Sequence, residues 1–418
     1  MLRLYNEEAA INHVKTLSFK RHAATEGEIK VVNYLVKELG NEKINFSVET
    51  FEWTKTMAKI LKLFFLWIFL FVLICQIISL YPIITWSFLI VDGIFIFLSL
   101  LGIRYIFDHS RIIYFGKKRE SKNVIATVQA KDLYAKRPVI IFSAHHDSAG
   151  SIYPIMIIKF LYLLGALLLL LYLIFTIILS IWSILSLFSI TQINFAYFLI
   201  RNLFFITGLV ILVELIFLLF NKKVDTSIGS IDNATGVSIL LELAKLIKKN
   251  PLEKTDVIFV WFGAEEMGLW GSKQYYFKHF EELIYNYELN KSFNINIDMV
   301  GSSISIEDEI GLFRKRKMNE NLNDILEISA NQQKINLKKV KTPIGSGSDH
   351  LVIKAFTKKV QKKNFQVSCF FSREDTKYIH SQKDTPEKCS TTNLNGCIDI
   401  CYNAIRSLDL RVESLRRK

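Results

Sequence analysis

Two glutamates, Glu265 and Glu266, stand side by side just after DVIFVWF (256–262), an apolar run that reads as a buried strand. Adjacent carboxylates repel, and burying one is costly unless a cation offsets it. The same layout recurs along the chain. PVIIFSA (138–144) runs into His145, His146 and Asp147, and FNINI (293–297) runs into Asp298. NFQVSCFF (364–371) leads to a loop with His380 and Asp384, and Asp232 precedes a helix start in SIDNATG (230–236). Ligands of open α/β sheets bind at the carboxyl ends of strands, so these imidazoles and carboxylates converge on one edge. A mixed nitrogen and oxygen donor set suits zinc. Five ligands with one shared carboxylate would hold two metals roughly 3.5–4 Å apart. One of the paired glutamates then binds metal, and its neighbour takes the proton of the metal-bound water.

Taken singly, each motif has a bland explanation. HHD can be a turn, and DN before a helix is often only an N-cap. Glu281-Glu282 is an internal control, a pair in a polar helix with nothing to bind. What argues against coincidence is that every motif sits in order at a strand end or a helix start.

The elements that position these residues follow from pattern. Residues 8–40 read as amphipathic helix, broken around Thr25-Glu26-Gly27, and NFSVETFEW (45–53) alternates like a strand. KNVIATVQA (122–130) is a further strand. GVSILLELAKLIKK (236–249), SKQYYFKHFEELIYNY (272–287), NLNDILEISANQQ (321–333) and the stretch 391–416 read as helices. This alternation of strand and helix argues an α/β sheet with helices on both faces.

The composition adds a second theme. The chain has 418 residues, 51% of them hydrophobic, and the excess is local. Residues 63–81 and 83–103 form one apolar pair, broken at Pro82. A second block covers 152–220, with its clearest spans near 160–181 and 197–220. Each is long enough to cross a bilayer, which takes roughly 20 residues. His145 and Asp232 converge on one edge, so they lie on one side of the membrane and the second block crosses an even number of times. The first half of WSILSLFSITQINFAYFLI (182–200) is therefore read as an interfacial or re-entrant loop and its end as the start of the last span, giving four spans in all. Asp92 and Glu214 lie inside spans, as polar clamps between helices or as functional acids.

The charged opening residues do not resemble a signal peptide. Lys55, Lys59 and Lys62 precede the first span, Arg104 follows the second, and Lys222 and Lys223 follow the last. The positive-inside rule places the soluble part in the cytoplasm. The net charge of +13 suits a domain near an anionic leaflet. No pattern of aromatic and basic residues accompanies it, so no nucleic-acid partner is expected. The five cysteines form no CxxC pair and read as reduced, buried thiols.

Together these residues resemble the zinc exopeptidases of metallopeptidase family 28, which include aminopeptidases, glutamate carboxypeptidases and glutaminyl cyclases. The resemblance is carried by HHD (145–147), DNATG (232–236), EEMGLWGS (265–272), NIDMVG (296–301) and HSQKDT (380–385). GSDH (347–350) and HVKTLSFKRHAATEGE (13–28) are also similar to the family pattern. The resemblance implies an α/β fold: a three-layer αβα sandwich with a mixed central sheet. Two transmembrane helical hairpins, 58–104 and 152–221, would interrupt it, leaving 1–57, 105–151 and 222–418 to the peptidase domain.

The resemblance also implies two zinc ions per chain. His145 and Asp298 would hold one, Glu266 and His380 the other, and Asp232 would bridge them. Glu265 would be the general base for attack by a metal-bridging hydroxide, and Asp147 would brace His145. Asp349 and His350 receive no role, Asp384 reads equally as structural, and His146 as a wall or bland residue. The expected protein is a membrane-anchored exopeptidase, first of all an aminopeptidase, with peptide substrates and the lipid bilayer as partners. Another amide reaction on the same fold (carboxypeptidase, amidohydrolase or glutaminyl cyclase) is the rival, and a non-catalytic membrane scaffold stands behind it.

Overall fold

The computed structural model describes residues 5–106, 108–132, 136–190, 194–311, 314–342, 347–360 and 365–416. The chain divides into two units. One comprises Met1–Lys55, His109–Ser151 and Lys223–Lys418; the other comprises Thr56–Asp108 and Ile152–Lys222.

The first unit is built on a mixed sheet. Its strands are β1 (Asn45–Trp53), β2 (Arg119–Val128), β3 (Val139–His145), β6 (Asp256–Phe262), β7 (Phe293–Ile297), β8 (Ile304–Ile310), β9 (Arg316–Lys317), β10 (Leu337–Thr342) and β11 (Gln366–Phe371). Two further short strands, β4 (Gly150–Ser151) and β5 (Lys223–Val224), pair with each other alone. The sheet order is β1-β2-β6-β3-β7-β11-β8-β10, with β9 alongside β8. The four middle strands, β6, β3, β7 and β11, are mutually parallel. Their carboxyl ends therefore lie on one edge.

Two of the middle strands, β3 (VIIFSAH) and β6 (DVIFVWF), are buried along their whole length. Such near-continuous apolar runs are what a strand covered on both faces requires. One face packs α1 (Ala9–Leu17), α2 (Glu26–Asn41), α7 (Thr235–Lys249), α9 (Leu322–Gln332) and α11 (Thr391–Arg416). Val237, Leu240, Leu241, Ala244 and Ile247 form the buried stripe of α7. The other face packs α8 (Trp270–Asn286) and α10 (His350–Lys359). All five cysteines are buried, including Cys397 and Cys401 one turn apart in α11.

The second unit contains α3 (Thr56–Ile78), α4 (Phe88–Ile106), α5 (Ile155–Leu187) and α6 (Phe195–Phe220). Among the described residues these helices, α4 together with the 3₁₀ turn before it, are long and apolar enough to cross a membrane. Their outward side chains include Phe97, Leu163 and Phe195, which are 62%, 62% and 82% exposed. The interior holds a few polar contacts. The Thr176 hydroxyl donates to Asp92 at 2.6 Å, tying α5 to α4. The Gln76 amide donates to the Phe205 carbonyl at 3.2 Å, tying α3 to α6. Glu214 fills the notch at Gly165, where an added Cβ would lie 2.7 Å from its carboxylate. Asp92 and Glu214 are thus buried between helices.

One sequence expectation is corrected here. Residues 182–187 do not form a loop; they continue α5, whose 33 residues make it longer than a bilayer core requires. The segment WSILSL carries no Gly or Pro that would end a helix, and Ser183 satisfies its hydroxyl on the carbonyls of Pro82 and Ile83. Residues 191–193, in the same stretch, lie outside the described residues, as does Asn364 at the start of the strand read at 364–371.

Candidate metal centre

His145 is the last residue of β3 and is buried. Its Nδ1 faces the Asp147 carbonyl at 3.0 Å, which leaves Nε2 to point into the site. There Nε2 lies 3.1 Å from Asp232 Oδ1 and 3.3 Å from Asp298 Oδ1. Asp298 directly follows β7, and its amide is pinned to the Phe370 carbonyl of β11. On the other side, His380 Nε2 lies 3.3 Å from Asp232 Oδ2 and 3.0 Å from Glu266 Oε1. The ligand atoms of His145, Asp232 and Asp298 all lie within 4.8 Å of one another, as do those of Asp232, Glu266 and His380. Asp232 belongs to both groups and gives one oxygen to each.

Local chemistry holds these residues in place. Both oxygens of Asp147 are used by backbone: the Glu265 amide donates to one at 3.0 Å and the Glu266 amide to the other at 3.2 Å. Asp147 therefore fixes the turn after β6 beside β3. Its carboxylate is 3.6 Å from His145 Nδ1, so its carbonyl rather than its side chain makes the close contact to that imidazole. Asp384 does the same for the Asp232 segment, accepting the amides of Ile231 at 2.5 Å and Asp232 at 3.2 Å. Asn233, joined to Asp232 by a cis peptide, accepts the amides of Gly236 and Met299 and donates to the Ile297 carbonyl. It stitches the start of α7 to the end of β7. Only glycine fits at 236, because a Cβ would lie 2.4 Å from both Asn233 Oδ1 and the Ile297 carbonyl.

His146 points away from the cluster, with Nε2 2.8 Å from the Lys122 carbonyl of β2. His350 is fully buried, 3.7 Å from Glu307.

Two further residues at the site are not placed there by the sequence. Arg21 is fully buried and donates to the carbonyls of His146, Leu17, Phe19, Ile228 and Gly229. It knits the N-terminal loop to the segments on either side of the second apolar block. Burial lowers its pKa to about 10, while Asp384, Asp147 and Asp232 oppose that fall. Lys223 reads in the sequence as a juxtamembrane charge, yet its ammonium lies 2.5 Å from Glu266 Oε2. Only the surrounding run of basic residues is visible in the sequence, and nothing in that run singles out Lys223.

Charge is concentrated here. Burial pushes the Glu265 carboxyl well above the usual carboxylate range; Asp349, Glu266 and Asp298 add to this and His145 opposes it. Burial likewise lifts Asp349 to about 7. For Glu266 burial is outweighed by His380 and Lys223, which bring it down to about 2. His380 is destabilised as a cation by burial, but Glu266 and Asp232 raise it to about 9. The residues fit a metal. The donor set is imidazole and carboxylate, Asp232 faces both histidines, and Glu266 Oε1 is buried without a hydrogen bond although it is aimed at His380 Nε2.

Residues 220–405 match the family model described as peptidase family M28. That span includes Asp232, Glu265, Glu266, Asp298 and His380 and begins after His145. Aminopeptidase YwaD of Bacillus subtilis (strain 168) is 30% identical over 185 residues, which is 44% of this chain and 38% of that protein. The chain thus covers well under half of that relative's length. Among solved structures, the aminopeptidase from Aneurinibacillus sp. strain AM-1 matches with a TM-score of 0.53 at 16% identity, over 96% of this chain and 93% of that one. A glutaminyl cyclase from an Acidobacteriales bacterium matches with a TM-score of 0.54 at 13% identity, over 98% and 97%. At these identities the likeness establishes the fold.

Replacing Asp384 with alanine leaves two buried amides without acceptors, at about 1–3 kcal/mol each. Asp384→Ala should lower the thermal unfolding midpoint and weaken zinc binding by about 10–100-fold in calorimetric titration. Unchanged zinc affinity would mean that Asp384 does not position Asp232.

Proposed function

We propose that this chain is a zinc-dependent aminopeptidase anchored in a membrane by its four apolar helices. The observation that carries the reading is the pair of ligand triads that share Asp232, with Glu265 beside them at the carboxyl edge of the parallel strands. His145 and Asp298 would hold one zinc ion, Glu266 and His380 the other, and Asp232 both. When bound, the ions supply Lewis-acid polarisation of the scissile carbonyl and lower the pKa of water.

The chain's own residues do the rest. Glu265, 8% exposed and without a ligand partner in either triad, takes the proton from the attacking water. It then returns that proton to the departing amine. Its raised pKa suits a group that must hold a proton between the two steps. Asp147 keeps the Glu265 and Glu266 backbone fixed, so neither carboxylate can drift towards the other's task.

The similarity to aminopeptidase YwaD, 30% identical over 185 residues, favours peptide hydrolysis. The fold alone is shared with a glutaminyl cyclase, so cyclisation is the second reading. The test is a panel of peptides with free, acetylated or glutaminyl N-termini, using detergent-purified protein with zinc. The expected result is stepwise release of N-terminal residues from free peptides only, reduced about 10²–10⁴-fold in Glu265→Gln. Release of ammonia without amino acids would replace the reading by cyclisation.

Loop charge supports a cytoplasmic active unit, through Lys55, Lys59, Lys62, Arg104 and Lys222. The native cysteines are buried, so background labelling is low. A cysteine placed at exposed Lys315 should resist a membrane-impermeant maleimide in intact cells and react after permeabilisation. Labelling in intact cells would reverse the orientation.

A further inference from the structure

Lys223 is set into the site by the fold around it. It lies on β5, paired in register with Ser151 of β4. The Ser151 amide donates to the His380 carbonyl at 2.9 Å, so this two-stranded ribbon is fastened to the His380 loop. The ribbon is close-fitting as well: a Cβ on Gly150 would lie 2.0 Å from Thr226 Oγ1. From this fixed backbone the Lys223 ammonium reaches Glu266 Oε2 at 2.5 Å and lies 3.2 Å and 3.3 Å from the two ring nitrogens of His380.

Its surroundings differ on its two sides. Glu266 beneath it is 4% exposed, whereas the Lys223 side chain is 33% exposed. An ammonium has three N–H donors, and Glu266 uses one. The His380 ring lies against another side of the ammonium, and the side chain, a third of it exposed, stands at the rim of the Asp232–Glu266–His380 half of the cluster. The other nearby cation, Arg21, is fully buried and spends its guanidinium on backbone carbonyls. It cannot meet a substrate, and Lys223 can. A fixed cation beside the reacting amide attracts an anionic group and repels a second cation.

We propose that Lys223 is a specificity-determining residue that selects substrates with a carboxylate next to the scissile amide. The proposal rests on the aminopeptidase reading and specifies its substrate class. Two sources offer that carboxylate: an acidic side chain on the released residue, or the free C-terminus of a dipeptide.

The test compares kcat/KM for Leu-Ala-amide, Glu-Ala-amide and the free dipeptide Leu-Ala, in the wild-type protein, Lys223→Arg and Lys223→Gln. Zinc content is measured in each. The carboxylate-bearing substrate that Lys223 serves should exceed Leu-Ala-amide by about tenfold in the wild type, equivalent to about 1.4 kcal/mol. Lys223→Gln should bring that ratio close to unity and Lys223→Arg should keep it. A preference for Glu-Ala-amide assigns the side chain, and a preference for Leu-Ala assigns the C-terminus. Equal ratios in the wild type and Lys223→Gln, both with full zinc, would overturn the proposal. Loss of zinc in Lys223→Gln alone would also overturn it, because Lys223 would then serve Glu266 and not the substrate. Absence of cleavage of any substrate by the zinc-loaded wild type would instead sink the aminopeptidase reading, and this proposal with it.

Discussion

Asp232 divides its two carboxylate oxygens between His145 and His380, and the rest of the structure is arranged around that division. The two histidines come from distant places: one ends a central strand, and the other sits in a loop after the last strand, in a left-handed conformation. They meet only because β6, β3, β7 and β11 run parallel and deliver their carboxyl ends to one edge. Parallel strands need crossover connections. One such crossover, from β3 to α7, holds the second apolar block, and it returns to the site through the β4–β5 ribbon.

Gathering carboxylates in a buried place costs desolvation energy, and the structure offsets it in several ways. Asp147 and Asp384 each accept two backbone amides, so their charges are met by fixed dipoles. Asp232 lies just before α7, whose amino-terminal dipole favours an anion. Arg21 brings positive charge from behind, and Lys223 from the rim. What remains is a demand for cations between His145, Asp298, Glu266 and His380. The strain of two adjacent glutamates is resolved in the same way: Glu266 turns into that demand, while Glu265 stays out of both triads, its pKa raised by burial.

Much of this was legible in the sequence because the site is written at element ends. The runs VIIFSAH, DVIFVWF and FNINI are apolar enough to be central strands, and the residue types just after them are unlike any surface loop. The edges were harder to read. β10 (LKKVKT), at the end of the sheet, carries charges that hide its strand character, because edge strands tolerate and even favour them, and the acids of β8 (ISIEDEI) beside it hide that strand too. Glu307 on β8 is fully buried against Thr342, which no local pattern foretells. Arg21 and Lys223 were illegible for a different reason. Their tertiary partners lie more than a hundred residues away for Arg21 (His146, Ile228 and Gly229) and more than forty for Lys223, and a basic residue looks the same in sequence whether it faces water or a carboxylate.

The central claim is that one carboxylate serves two metal positions, and metal counting in single-ligand variants tests it most directly. Zinc per chain would be measured by mass spectrometry after dialysis of the wild type, Asp232→Ala, Asp298→Ala and His380→Ala. The account predicts about two ions in the wild type, about one in Asp298→Ala and His380→Ala, and fewer than about one in Asp232→Ala, because a shared ligand supports both positions. Retention of two ions by folded Asp232→Ala would contradict the shared-ligand arrangement on which the site has been built.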